Sequence, residues 1–165
     1  MKLYHGSNMA FEEIDLLLCR PNKDFGRGFY LTPERKDAEN MARRTARRYG
    51  GLPCVLTFDL RDSVLVDVPV RRFVHPDESW AMFVMANRRP ERPASDHNRD
   101  NRYGLVVGPI ANDDLALLFR QFELGLVTSD MLVREMQFKR LAVQYSFHTA
   151  QAIAALEFVE ATNVH

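Results

Sequence analysis

Two short runs near the N-terminus, Leu3-Tyr4-His5-Gly6-Ser7 and Phe25-Gly26-Arg27-Gly28-Phe29-Tyr30-Leu31-Thr32, restrict the fold more than any other part of the chain. Each is apolar and aromatic-rich and reads as a strand. The second leads straight into Thr32-Pro33-Glu34, a helix start in which Thr32 caps, Pro33 takes the first helical position and Glu34 complements the helix dipole. His5 and Tyr30 stand where a side chain can face a cleft, and Gly6 and Gly28 let the backbone approach a ligand closely. A histidine, an aromatic ring and two glycine approaches suit a flat, polar small molecule.

The rest of the chain predicts a mixed fold. Phe11 to Cys19 reads as a short amphipathic helix or irregular turn, with Phe11, Ile14, Leu17 and Leu18 at helical spacing. The helix opened at Thr32 runs to about Tyr49, with Ala38, Met41, Ala42, Thr45 or Ala46, and Tyr49 as its inner stripe and Arg43, Arg44, Arg47 and Arg48 outside it. Leu52 to Phe58 and Ser63 to Val68 read as strands, Pro76 to Asn87 as a helix, and Tyr103 to Ile110 as a strand turning into a helix capped at Asn112. A shorter helix spans Ser129 to Phe138. Leu141 to Phe147 reads as the last strand, and Thr149 starts a final helix to about Val159. The stretch from Arg88 to Arg102, with five arginines, three acidic residues and two prolines, reads as an exposed loop suited to function. Strands and helices are interspersed with few parallel crossovers, which points to α+β.

At 165 residues with 46% apolar content, one domain with one core is expected. Lys+Arg and Asp+Glu balance at 22 each, so no global field draws the chain to nucleic acid or an anionic membrane. Arg43, Arg44, Arg47 and Arg48 read as a solvated face that, with the 88–102 loop, could form a basic surface suited to an acidic partner or a nucleic-acid target. Cys19 and Cys54 lack redox or metal spacing and read as inert core thiols. The five histidines have no mutual ligand spacing, so no metal is expected. Without a signal-like start or an apolar run long enough for a membrane span, the expected location is the cytoplasm.

LYHGS followed by GRGFYLT and a helix resembles the NAD-binding core of the ADP-ribosyltransferase superfamily, in its diphtheria-toxin and poly(ADP-ribose)-polymerase branch. Together with Val107-Gly108-Pro109-Ile110-Ala111-Asn112-Asp113 and Gln144-Tyr145-Ser146-Phe147-His148-Thr149, nearly the whole chain resembles DUF3990, an uncharacterised bacterial family placed beside that branch. The resemblance implies a split antiparallel β-sandwich with surrounding helices, NAD+ as substrate in the cleft between the sheets, and transfer of ADP-ribose with loss of nicotinamide. His5, Tyr30 and Gln144 would be the catalytic residues, and His5, Gly6, Ser7, Gly28, Tyr30, Met41 and Ser146 would contact NAD+. His5 would bond the adenosine-side ribose hydroxyl and the Gly6 backbone the carboxamide, while Tyr30 stacks on the nicotinamide ring.

The chain departs from that branch at three positions. Met41 stands where a second stacking tyrosine is usual and Ala38 where a serine bonds the carboxamide. Gln144 stands where active relatives place a glutamate against the developing cation. Losing one charge-assisted hydrogen bond, about 1.5 to 3 kcal/mol, lowers the rate roughly ten- to a few-hundredfold without abolishing chemistry. It also disfavours chain elongation, which leaves mono-transfer. Glu123 and Glu135 are expected to be solvated, and His148 to brace the last helix.

The reading is therefore a mono-ADP-ribosyltransferase acting on a macromolecular acceptor, protein or nucleic acid. A toxin or effector neutralised by an antitoxin protein is compatible with the resemblance. An NAD+ glycohydrolase, or a catalytically weak nucleotide-binding module favoured by Gln144 and Met41, are the alternatives.

Overall fold

In a computed structural model that describes residues 1–91, 93–137, 139 and 141–164, the chain forms seven strands and five helices among those residues. Their order is β1 (Lys2–Ser7), β2 (Phe29–Leu31), α1 (Arg35–Tyr49), β3 (Cys54–Leu60), β4 (Val70–Arg72), α2 (Glu78–Arg88), β5 (Leu105–Pro109), α3 (Asp113–Glu123), α4 (Ser129–Gln137), β6 (Val143–Phe147), α5 (Ala150–Ile153) and β7 (Leu156–Asn163). The fold is α+β with two mostly antiparallel sheets, ordered β1-β3-β7 and β2-β6-β5-β4. Among the described residues only the β4/β5 pair is parallel.

Strand alternation gives the second sheet two apolar faces. Phe29, Leu31, Leu105, Val107 and Phe147 pack against Leu3, Leu56 and Phe58 of the first sheet, forming the core between sheets. Val106 points the other way, into a second core of Phe25, Phe73, Trp80, Phe83, Leu115, Phe119, Leu132 and Met136 beneath the helices. Side-chain caps fix where the helices begin: Asp77 accepts the Trp80 N–H at 2.8 Å and Asn112 the Leu115 N–H at 3.1 Å. The sheets touch edge to edge at one bridge, where Tyr4 and Thr32 exchange backbone hydrogen bonds of 2.8 and 2.9 Å.

Several elements differ from the sequence reading. Ser63 to Val68 is no strand: residues 62–65 form a 3₁₀ turn that buries Leu65, and Val68, three residues on, is buried just after it. The final helix stops at Ile153, and from Leu156 the chain forms β7, whose backbone pairs with the free edge of β3 while Leu156 and Phe158 pack against the core. The short strand β4 went unread, because its Val-Arg-Arg sequence carries no apolar alternation. Phe11 to Cys19 is the irregular turn of the two alternatives, with only Leu16–Leu18 turning helically, but Leu17 and Leu18 of the expected apolar stripe point to solvent. Cys19 is half-buried rather than a core thiol. Helix α1 starts at Arg35 because Thr32 is held in the bridge, its Oγ1 accepting the Glu34 N–H at 3.2 Å. Of the stripe read for α1, only Ala38 and Ala42 are buried, while Met41 and Tyr49 are about half exposed. The end of the 129–138 helix falls on Phe138, which lies outside the described residues, as do Arg92 of the 88–102 loop and His165.

Candidate functional site

The two N-terminal motifs meet at the Tyr4–Thr32 bridge and then part. In an antiparallel ladder the next bonded pair after Tyr4–Thr32 is Gly6–Tyr30, and that pair is not made. Instead the Tyr30 carbonyl accepts the His5 Nδ1–H at 2.8 Å. Because alternate residues of a strand aim their backbone groups at opposite edges, Leu3, His5 and Ser7 bond β3 and Gly6 faces the same edge as Tyr4. The Gly6 N–H and C=O therefore point into the split, a donor and an acceptor side by side with no partner among the described residues. Gly6 is buried under α1: a Cβ there would lie 2.0 Å from the Ala38 carbonyl oxygen and 2.7 Å from the Ala42 nitrogen. Glycine is thus required for helix α1 to close on β1, and the small Ala38 and Ala42 answer it.

His5 lies on the inner face, its ring 4.5 Å from that of Phe29 and edge-on to Phe11 at 5.9 Å. Donation from Nδ1 leaves Nε2 as an acceptor, and desolvation lowers the imidazole's pKa, so the ring is neutral at pH 7. Among the side-chain polar atoms of the described residues only Thr57 Oγ1 and Arg71 Nε are sealed without a partner. Nε2 of His5, which also has none, therefore keeps an open side.

Tyr30 leaves β2 on the face opposite Phe29. Its hydroxyl donates to the Gly26 carbonyl at 2.7 Å and accepts the Phe25 N–H at 3.0 Å, and burial pushes its pKa up. Gly26 makes this return possible with φ +93°. Ser146 stands opposite Tyr30 across the β2/β6 pair, and Gln144 lies two residues along the same face. The Ser146 hydroxyl donates to His148 Nε2, while His148 Nδ1–H donates to the Arg27 carbonyl at 2.8 Å. Burial drops the His148 pKa to about 4. His148 thus braces the glycine loop, rather than the last helix, and Gly28 sits against its ring, where a Cβ would lie 2.6 Å from Nδ1.

Gln144 is buried, and its Nε2 donates to Asp24 Oδ2 at 3.3 Å. The same oxygen accepts the Ala111 N–H at 3.0 Å, and Asp24 Oδ1 accepts Arg88 Nε and Nη2 at 2.9 and 2.7 Å. Sequence reasoning missed both Asp24 and Arg88. Asp24 adjoins the second motif, which was the available signal; Arg88, read as the start of an exposed loop, turns inward at the end of α2.

The structure thus links His5 to Tyr30 through the backbone, gathers Tyr30, Ser146, His148 and Gly28, and joins Gln144 to Asp24 and Arg88. Among the described residues no hydrogen bond joins Met41 or Ser7 to these groups; Met41 is exposed, and Ser7 Oγ accepts the Met9 N–H at 3.2 Å. Glu135 is exposed, whereas Glu123 is largely covered and pairs with Arg89 at 3.6 Å. Two shallow surface grooves, one lined by Arg89, Glu91, Arg120, Glu123 and Leu124 and the other by Asn40, Arg43, Arg44 and Arg47, include none of the site residues. Among the described residues no three His, Cys, Asp or Glu side chains converge as a metal site. None of the described helices is long and apolar enough to cross a membrane.

Fold and site together define an α+β protein whose two sheets meet at one bridge and part around an unpaired backbone donor and acceptor. A model of the family DUF3990, described as a protein of unknown function, matches residues 1–158, and the chain belongs to that family. No curated protein and no solved structure matches it.

Proposed function

We propose that the split between β1 and β2 binds NAD+ and that the protein is a mono-ADP-ribosyltransferase of the ADP-ribosyltransferase superfamily, with NAD+ as substrate and a macromolecule as acceptor. One observation carries this reading: the Gly6 N–H and C=O, buried and unpaired, face the opening beside His5 and Tyr30. Buried backbone groups are rarely left unpaired, so a donor and acceptor side by side call for a ligand group offering the reverse pair. A carboxamide does so, and nicotinamide carries one.

The neighbouring residues fit the rest of the dinucleotide. Nε2 of His5, an acceptor, suits a ribose hydroxyl. Tyr30 is only partly buried, its hydroxyl anchored in the Phe25–Gly26 turn and its ring fixed between Phe25 and His148, and in this reading the ring stacks on nicotinamide, worth about 0.5 to 1.5 kcal/mol beyond buried area. NAD+ supplies a glycosidic bond whose electron pair leaves with nicotinamide, and the acceptor's nucleophile takes the ribosyl carbon and gives up its proton. Gln144 provides a neutral acceptor at the third position, which favours single transfer over elongation. The same residue supports a second reading, a nucleotide-binding module with little or no turnover.

Protein incubated with isotopically labelled NAD+ and cell lysate separates these readings. Label on protease- or nuclease-sensitive macromolecule supports transfer, free ADP-ribose indicates hydrolysis, and intact bound NAD+ indicates a binding module. Absence of both binding and reaction removes the NAD+ site altogether.

A further inference from the structure

Gln144 occupies the third site position as an amide, and the groups around it account for that choice. Its Nε2 lies 3.3 Å from Asp24 Oδ2. Asp24 is itself fixed from two sides, by Arg88 Nε and Nη2 on Oδ1 and by the Ala111 N–H on Oδ2. A carboxylate paired with an arginine accepts hydrogen bonds and donates none. The amide consequently has one stable orientation, nitrogen toward Asp24, because the flipped form would set two acceptor oxygens against each other. Oε1 is left without a partner, yet it is not among the sealed and orphaned polar atoms, so it keeps an open side. By strand alternation Gln144 shares its face with Ser146, which stands opposite Tyr30.

We propose that Asp24 is a positioning residue, locked by Arg88, that orients the Gln144 amide so that Oε1 is the group offered to the substrate. This rests on the NAD+ reading of the site, under which the incoming donor is a hydroxyl of the ribose next to nicotinamide. The arrangement also explains the departure from glutamate. A carboxylate at position 144 would stand against that of Asp24 with no donor between them, and like charges so close disfavour the ionised pair. Asp24 and an amide at 144 therefore form a matched set. Exchanging both, an amide at position 24 and a carboxylate at position 144, preserves the match, with the amide nitrogen at position 24 as the donor.

The test is a swap cycle on the full-length chain: wild type, Gln144→Glu, Asp24→Asn and the double variant, each checked for folding by circular dichroism. The readouts are NAD+ affinity by calorimetry and the kcat and KM of nicotinamide release. Each single variant is expected to lose about tenfold or more in kcat with KM changed less than about threefold, and the double variant to regain most of that loss. Asp24→Asn deprives the Ala111 N–H of its acceptor, so both variants that carry it melt lower than wild type. A purely structural Asp24 would make turnover follow melting temperature and leave the double variant as impaired as Asp24→Asn; the proposal requires turnover to recover while the melting temperature stays low. A Gln144→Glu protein as active as wild type or more so overturns the proposal, as does additivity of the two changes. If Asp24→Asn does not fold, Gln144→Glu alone decides by the same criterion. A wild type that neither binds nor cleaves NAD+ defeats the reading of the site and this proposal with it; a wild type that cleaves NAD+ without the reciprocal recovery defeats this proposal alone.

Discussion

At the β1/β2 edge polar groups are offered by leaving a ladder bond unmade, whereas around Asp24 they are aimed by making nearly every bond available. The edge depends on fit: Gly6 has no side chain, Ala38 and Ala42 are small, and helix α1 closes over them. The Asp24 cluster depends on charge and draws on four separate parts of the chain, the glycine loop, the end of α2, the β5–α3 connection and β6. A backbone site of the first kind tolerates no added volume. A side-chain site of the second kind tolerates no loss of an acceptor.

The largest expected effect breaks the first region. Gly6→Ala places a Cβ 2.0 Å from the Ala38 carbonyl oxygen, which neither backbone can yield without moving helix α1. A loss of about 3 kcal/mol or more is expected, read as a fall of roughly 6 to 12 °C in thermal unfolding. An unchanged melting temperature would show that α1 does not sit on Gly6. Asp24→Ala comes next, leaving Arg88 and the Ala111 N–H without their acceptor. Because Arg88 retains some exposure to water, about 2 kcal/mol is expected in a denaturant titration, less than for a fully buried pair. A loss under about 0.5 kcal/mol would make the cluster a surface ion pair.

An effect of similar size is a pH response from the brace between the two regions. The His148 pKa falls from 6.5 to about 4 on folding, so the unfolded chain binds the extra proton below pH 6.5. Stability from this group is complete above that pH and is lost as pH falls toward 4, and His5 is shifted in the same direction. The expected loss from His148 between pH 7 and pH 5 is about 2 kcal/mol, and His148→Gln should flatten the profile. A protein more stable at pH 5 than at pH 7 would contradict a neutral, buried His148.

The same contrast explains what was legible in the sequence. Motif residues close together in the chain, Leu3 to Ser7 and Phe25 to Thr32, specify their own strands, and the structure brings them edge to edge at Tyr4 and Thr32. The cap at Asn112 was readable because a cap and its helix are adjacent. Residues 63–68 and 154–163 misled because valine and alanine content says little about where an edge needs a partner; β7 exists because β3 has a free side. Asp24 and Arg88 are 64 residues apart, and nothing local marks either as the other's partner. Met41 shows the converse, since helical spacing placed it inward while the tight approach at Gly6 leaves room there only for alanines.

An NMR titration of the ¹⁵N-labelled protein with NAD+, and with nicotinamide alone, tests the ligand role of the split most directly. The account requires the Gly6 amide resonance to shift with both ligands, accompanied by the His5 ring signals with NAD+ only, while the amides of Asn40, Arg43, Arg44 and Arg47 on the outer surface of α1 stay in place. Shifts confined to that arginine surface, or a Gly6 resonance unmoved at saturating NAD+, would contradict it.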